Sequence, residues 1–257
     1  MAMITLTTDF GVRDPYVAAM KGVLRRRCPG AIIDDLTHDI APQDVLEAAL
    51  FIEDAAPWFP DGTIHLVVVD PGVGTTRRPI AAGSGGHLFV CPDNGALTLW
   101  LGRHKLDWAY EIISDASATE MVSSTFHGRD IFAPAAAALA NGGDPATLGK
   151  PVTDLVRIQI PAPDCYDKGR ISGVIIHIDH FGNCITNIRR EHNAVAAGAV
   201  YIGDCAFPLA KTYGDVPPGE PLALYGSGGR LEIAVNQGHA ARQFGLAHMT
   251  QVILAEE

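Results

Sequence analysis

A layered α/β domain with a mostly parallel sheet, followed by a smaller antiparallel β-barrel domain, is the architecture predicted by this 257-residue sequence. Three observations predict it. Apolar, strand-like runs alternate with helix-like segments from Ile4 to Asn141, the pattern of a parallel sheet covered by helices. A polar, proline-bearing stretch then runs from Leu155 to Arg170, with the composition of a linker or crossover. Beyond it, short β-rich runs are separated by glycine and proline turns. Two domains are therefore expected, at residues 1–168 and 169–257.

Taken in order, Ile4 to Thr8 reads as a buried first strand. Pro15 to Arg27 reads as a helix, with Val17, Met20, Val23 and Leu24 at helical spacing and Pro29-Gly30 as its stop. Ala31 to Leu36 is expected as a strand, Pro42 to Ala55 as a helix, and Thr63 to Val69 as a β-branched buried strand. His87 to Cys91 follows as a short strand, Ala96 to Gly102 as a helix, and Arg129 to Asn141 as an alanine-rich helix ended by Gly142-Gly143. In the second domain the expected strands are Ile171 to Ile178, Ala199 to Ile202, Pro221 to Leu224, Arg230 to Val235 and Gln251 to Ala255.

Composition narrows the function. With 47% hydrophobic residues the chain can bury a sizeable core. A formal charge of −10, from 29 acids against 19 bases, argues against a nucleic-acid footprint and favours a small-molecule partner. The five cysteines are scattered without a C-x-x-C pair, so neither a disulfide framework nor a zinc cage is indicated, and a reducing cytoplasm is expected. The start MAMITLTTDF lacks the pattern of a signal peptide, and no apolar run reaches the length of a membrane span.

Three polar segments follow apolar runs, and each would deliver functional groups to a strand's carboxyl end, where open α/β sheets place ligands. In TTDFGVRDPY, Asp9 and Asp14 flank a turn containing Gly11; they can face one pocket, or Asp9 can simply end the strand while Asp14 caps the next helix. In DPGVGTTRR, Asp70 follows a buried run, and Gly72 and Gly74 allow close backbone approach before Arg77 and Arg78. The segment lacks the Gly-Lys-Ser/Thr ending of a phosphate loop. One arginine can instead form a purely structural bridge with Asp70. In FHGRD, His127 precedes a helix, where a neutral imidazole could position a water or a leaving group. Asn94-Gly95 reads as a turn.

The second domain carries HIDHFGNCITNI, with Asp179, Phe181 and Asn183, and a glycine-rich loop with Ser227. Phe181 offers a stacking face and asparagine suits a base edge, but both clusters also read as plain turns between strands.

TTDFGVRDPYVAAMKGV, VVDPGVGTTRR, STFHGRDIFAP, DHFGNCITNI and GRLEIAVNQGHAA, in that order, resemble the signature segments of the S-adenosyl-L-methionine hydroxide adenosyltransferase family, which is related to fluorinating and chlorinating enzymes. The resemblance spans nearly the whole chain. It implies a homotrimer whose active sites lie between the N-terminal domain of one subunit and the C-terminal domain of its neighbour. The implied reaction is displacement of methionine from C5′ of S-adenosyl-L-methionine by water or hydroxide, with no metal and no further cofactor. Asp70, Arg77 and His127 would be the catalytic set. Asp9 would hold the ribose hydroxyls, while Asp14, Asp179 and Ser227 would hold the methionine amino and carboxylate ends. Asn183 would read adenine, with Phe181 and Tyr213 stacking on it.

Such a reaction needs chiefly positioning, because a sulfonium is already a strong electrophile. The family's halide users lack the acid-arginine-histidine set, and a carboxylate at position 70 would repel an anion. Halogenation is thus the runner-up. Two other readings are a metal-dependent phosphoesterase using Asp9, Asp14, Asp70 and His127, and a non-catalytic S-adenosyl-L-methionine or adenosine sensor.

Overall fold

The structure, a computed structural model, describes residues 1–113, 122–166, 169–192 and 198–255. The chain divides into two compact units, Met1–Ile158 and Gln159–Glu257. The boundary expected after residue 168 falls at residues 167–168, outside the described set.

The first unit opens with β1 (Met3–Thr8), α1 (Tyr16–Arg27), β2 (Ile32–Thr37), α2 (Val45–Ala55) and β3 (Ile64–Val68). It continues with β4 (Pro79–Ser84), β5 (His87–Pro92), α3 (Trp100–Arg103), β6 (Leu106–Ile112), α4 (Ala133–Ala140) and β7 (Gly149–Pro151). The strand order is β2-β1-β3-β5-β4-β6-β7. β2, β1, β3 and β5 are parallel neighbours, and β4 runs antiparallel to β5 and β6, as does β7 to β6. β4 and β7 therefore oppose the other five strands.

β4 and β6 are strands that the sequence reading did not anticipate. The sequence PIAAGS of β4 has little β-branching, so local propensity does not mark it. Its strand state is imposed by the turn at Gly85-Gly86, both at positive φ (+60° and +83°), which pairs Ser84 with His87 and folds β4 back along β5.

The alternation of side chains along β3 explains the layers. Ile64, Leu66 and Val68 pack on one face with Met20 and Leu24 of α1 and the small residues of α4. Val67 and Val69 pack on the other with Ala48 and Ile52 of α2 and with Trp100. Three expected helices start differently, and the one expected from Ala96 begins at Trp100 as α3. Gln43 has φ +68°, incompatible with a helix, so α2 begins at Val45 with Asp44 accepting the Glu47 N–H at 2.9 Å as its cap. The helix expected from Arg129 opens instead as a π-turn over Gly128–Phe132 before α4.

The second unit contains β8 (Asp164–Tyr166), β9 (Arg170–Ile178), β10 (Cys184–Arg189), β11 (Ala199–Ile202), β12 (Cys205–Pro208), β13 (Pro221–Tyr225), β14 (Arg230–Val235), α5 (Ala240–Phe244) and β15 (Gln251–Ala255). The sheet order is β12-β11-β15-β9-β10-β14-β13, with β8 also on β9, and these ladders are antiparallel. A bridge from Leu209, just after β12, to Ala223 of β13 brings the two ends of the sheet together into a nearly closed barrel. Ile175, Ile188, Val200, Phe207, Ile233 and Val252 fill its interior. β10 continues directly from the polar DHFGN segment. Its Asn187 serves the fold, accepting the Val174 N–H at 2.8 Å and donating to Pro161 O at 2.7 Å. No helix among the described residues is long and apolar enough to cross a membrane.

Candidate active site

β1 and β3 are adjacent and parallel, with Thr8 opposite Val68, so Asp9 and Asp70 leave the sheet at the same carboxyl edge. From Asp70 the chain crosses the end of β5 before entering β4. Gly74 in that crossing has φ +77°, and a Cβ there would lie 2.7 Å from Ser124 O, so the loop packs directly on the segment that leads to His127.

The two arginines of DPGVGTTRR separate into different tasks. Arg78 donates from Nε to Asp93 Oδ2 at 2.9 Å and from Nη1 to Asp154 Oδ1 at 2.8 Å, which ties the loop to the later chain. Arg77 grips Asp70 with both arms, Nε donating to Oδ1 at 2.9 Å and Nη2 to Oδ2. Arg77 and Asp70 side chains are 9% and 5% exposed, and the guanidinium lies 5.2 Å from the centroid of the Phe132 ring.

Nη2 of Arg77 also lies 2.7 Å from His127 Nδ1. A guanidinium only donates, so Nδ1 must accept and the imidazole proton sits on Nε2. Burial, and then the positive charge of Arg77, hold the His127 pKa below the ordinary histidine value. The arrangement yields an ionised acid beside a neutral imidazole with one N–H to offer. His127 itself precedes the π-turn, whose Asp130 accepts the Ser123 N–H at 2.8 Å and fixes the approach to the site.

Asp70 and His127 line a cavity of about 300 Å³ together with Asp9, Gln43, Tyr16 and Phe126. Arg77 does not line it and acts from behind Asp70. Asp9 Oδ2 accepts the Gln43 N–H at 2.8 Å. Phe10, Tyr16 and Phe126 form a mutually tilted aromatic wall, with ring centroids 5.3 to 6.1 Å apart. Asp14 is exposed, does not line the cavity, and does not cap α1, whose N-terminus has no side-chain cap. Asn94 is a fold residue, donating to Val69 O at 2.8 Å. Among the described residues no group of three His, Cys, Asp or Glu side chains is placed to hold a metal ion.

The second unit has its own cavity, of about 870 Å³, lined by Asp179, Phe181, Asn183, Tyr213 and Ser227 with Glu232 and others. Five sequence-derived candidates are thus brought together there. Asp179 organises the turn between β9 and β10: its Oδ1 accepts the N–H groups of Phe181 and Asn183, and its Oδ2 accepts Asn183 Nδ2 at 2.9 Å. The DHFGN segment is therefore a polar turn, as one reading held, and that turn forms the cavity wall. Phe181 is 71% exposed and Asn183 is buried. Ser227 sits in the turn between β13 and β14, where the Gly229 N–H bonds Gly226 O.

Gln43, Phe10, Tyr16, Phe126 and Glu232 were not singled out from sequence. Tyr16 and Phe126 stood inside the quoted motifs, whereas a positive φ at Gln43 leaves no sequence signal.

Residues 4–149 match the SAM hydroxide adenosyltransferase N-terminal domain and residues 173–253 match the C-terminal domain of the same family. The chain belongs to the SAM hydroxide adenosyltransferase family. Within that family it is similar to proteins named (R)-S-adenosyl-L-methionine hydrolase from Thermus thermophilus, at 41% identity over 96% of both chains, and from Salinispora tropica, at 38% over 95% and 94%. A fluorinase from an Actinoplanes species is 32% identical over 95% and 94%. A crystal structure of an uncharacterized conserved protein from Thermotoga maritima superimposes with a TM-score of 0.91 at 34% identity, covering 99% of this chain and 100% of that one.

Proposed function

We propose that this protein hydrolyses S-adenosyl-L-methionine to adenosine and L-methionine. The observation that carries the assignment is the Asp70 carboxylate beside the neutral His127 in one cavity wall, both held by Arg77. Water accepts a hydrogen bond from His127 Nε2–H and donates one to Asp70, which keeps free lone pairs despite its pairing with Arg77. The oxygen attacks C5′ in line with the sulfonium. An O–C5′ bond forms, the C5′–S bond breaks with its electron pair going to sulfur, and methionine leaves as a neutral thioether. One proton is released per turnover, through Asp70 to solvent.

The other candidates take complementary parts. Asp9, oriented by Gln43, receives the ribose hydroxyls. Asp179 Oδ2, with one lone pair left, receives the substrate ammonium alongside Ser227, and Asn183 reads adenine between Phe181 and Tyr213. Asp14, exposed outside both cavities, takes part only through contacts made by a second subunit. The reaction centre with its ribose-binding Asp9 and the groups for adenine and the methionine end lie in different units, and the exposed Phe181 suits an open half-site. We therefore place the complete site between neighbouring subunits of a homotrimer in the cytoplasm. This mechanism calls on no metal, because the sulfonium is already a strong electrophile and methionine leaves as a neutral thioether.

The relatives' name adds a stereochemical point. Since "L" fixes the α-carbon, "R" describes the sulfonium sulfur, and we assign the (R) epimer as the preferred substrate. Halide addition is disfavoured by the carboxylate at position 70. The test is to incubate chelator-treated protein with each epimer in halide-free buffer and follow adenosine, methionine and proton release. Equal amounts of all three are expected, with Asp70→Ala slower by about 10²-fold or more. Intact substrate, or dependence on halide or metal, would reject the assignment.

A further inference from the structure

Glu232 has no role in the reaction described above, yet it lies on β14 in the wall of the larger cavity. On one side its Oε2 accepts the phenol hydroxyl of Tyr213 at 2.9 Å. On the other it packs against Gly226, where any Cβ would overlap the Glu232 carboxyl group. Gly226 begins the turn that carries Ser227, and its N–H bonds Arg230 O at 3.0 Å. One carboxylate thus touches both the segment that presents Tyr213 and the turn that presents Ser227.

Two features make this contact more than packing. Tyr213 is 40% exposed, so an unanchored ring would be free to sample other rotamers. Burial, and then the Glu232 charge, push the Tyr213 pKa above its ordinary value, so the phenol remains a donor to this carboxylate across the working pH range. A side chain fixed before the ligand arrives reduces the ordering cost of binding.

We propose that Glu232 is the positioning residue of the nucleoside pocket, holding the Tyr213 ring in place for adenine and setting the Ser227 turn across the space left by Gly226. The role rests on the substrate assignment above and deepens it. Its effect falls on binding and not on the bond-making step, because Asp70 and His127 belong to the other unit's cavity.

The experiment compares wild type, Glu232→Ala, Glu232→Gln, Tyr213→Phe and the Glu232→Ala/Tyr213→Phe pair, measuring kcat and KM for S-adenosyl-L-methionine and adenosine affinity by calorimetry. Glu232→Ala should raise KM and the adenosine Kd about tenfold, the scale of one charge-assisted hydrogen bond, with kcat unchanged. Glu232→Gln, whose amide oxygen still accepts the phenol proton, should recover most of that loss. The double variant should bind no more weakly than Glu232→Ala alone, because the two groups act as a unit. Wild-type adenosine affinity in Glu232→Ala, or additive losses in the double variant, would overturn the positioning role alone. A wild type that binds no adenosine would instead overturn the substrate assignment on which that role rests.

Discussion

At the scale of single residues, the deciding relation is between Arg77 and His127. The guanidinium fixes the imidazole as an Nε2–H donor, so in the proposed mechanism the proton goes to Asp70 and not to His127. Its pKa lies below 6.5 in the folded protein, so the active neutral form persists through pH 6.5 and is lost only further into acid. The acid limb of kcat should therefore lie lower than the ordinary histidine value would set it. In Arg77→Met the imidazole resonances, followed by NMR, should titrate at higher pH than in wild type; an unchanged titration would remove Arg77 as a cause. The sequence made Asp70 and His127 legible as candidates, because they sit in short motifs after apolar runs, whereas Arg77 was singled out only by the family resemblance. It left open which arginine would bridge and whether the bridge was only structural. Arg77 and Arg78 are consecutive, and only the fold sends one to Asp70 and the other to Asp93 and Asp154.

At the scale of elements, the alternating strands and helices of the first half could be read because β1 and β3 are buried and rich in β-branched residues, and the five strands expected in the second half are short β-rich runs set apart by glycine and proline turns. β4 could not, since PIAAGS is a strand only by virtue of its hairpin and its neighbours. The loop ahead of β4 should be intolerant of side chains at Gly74: Gly74→Ala meets Ser124 O in a positive-φ conformation, costing on the order of 1–3 kcal/mol and displacing Arg77. Both a lower Tm and a lower kcat are expected, and a variant with wild-type kcat would mean that the loop's packing does not set the site. The starting ends of β3 and β5 carry a second, purely structural device. His65 Nδ1 lies 2.7 Å from Thr5 Oγ1, and His65 Nε2 lies 3.1 Å from His87 Nδ1. Burial, and then the nearby His87, hold the His65 pKa to about 3, against about 6.5 when unfolded. Because the folded value is depressed, the stabilisation from neutral His65 is complete above pH 6.5 and is lost as pH falls from there toward 3. Tm should be flat near neutrality and decline through that window, and His65→Gln should flatten the decline.

At the scale of the whole molecule, groups suited to one substrate are divided between two units, each with its own core. If neighbouring subunits complete each other's sites, an Asp70→Ala protein and a Phe181→Ala protein should rescue one another when unfolded together and refolded, because some sites would then combine an intact half from each. No rescue in the mixed protein would confine the site to one chain. The expectation of an N-terminal layered domain and a C-terminal barrel was within reach of the sequence because the pattern changes at the polar stretch from Leu155 to Arg170. The crossing from β3 to β4 has a wider bearing. Asp70 departs from one strand and Arg77 arrives at another two places along the sheet, so the pair that we propose readies water also fastens the parallel half to the antiparallel half. Selection acting on chemistry thereby also preserves a clasp of the scaffold, and loss of either residue should be written into faster amide exchange along β4 and β5 as well as into a slower reaction.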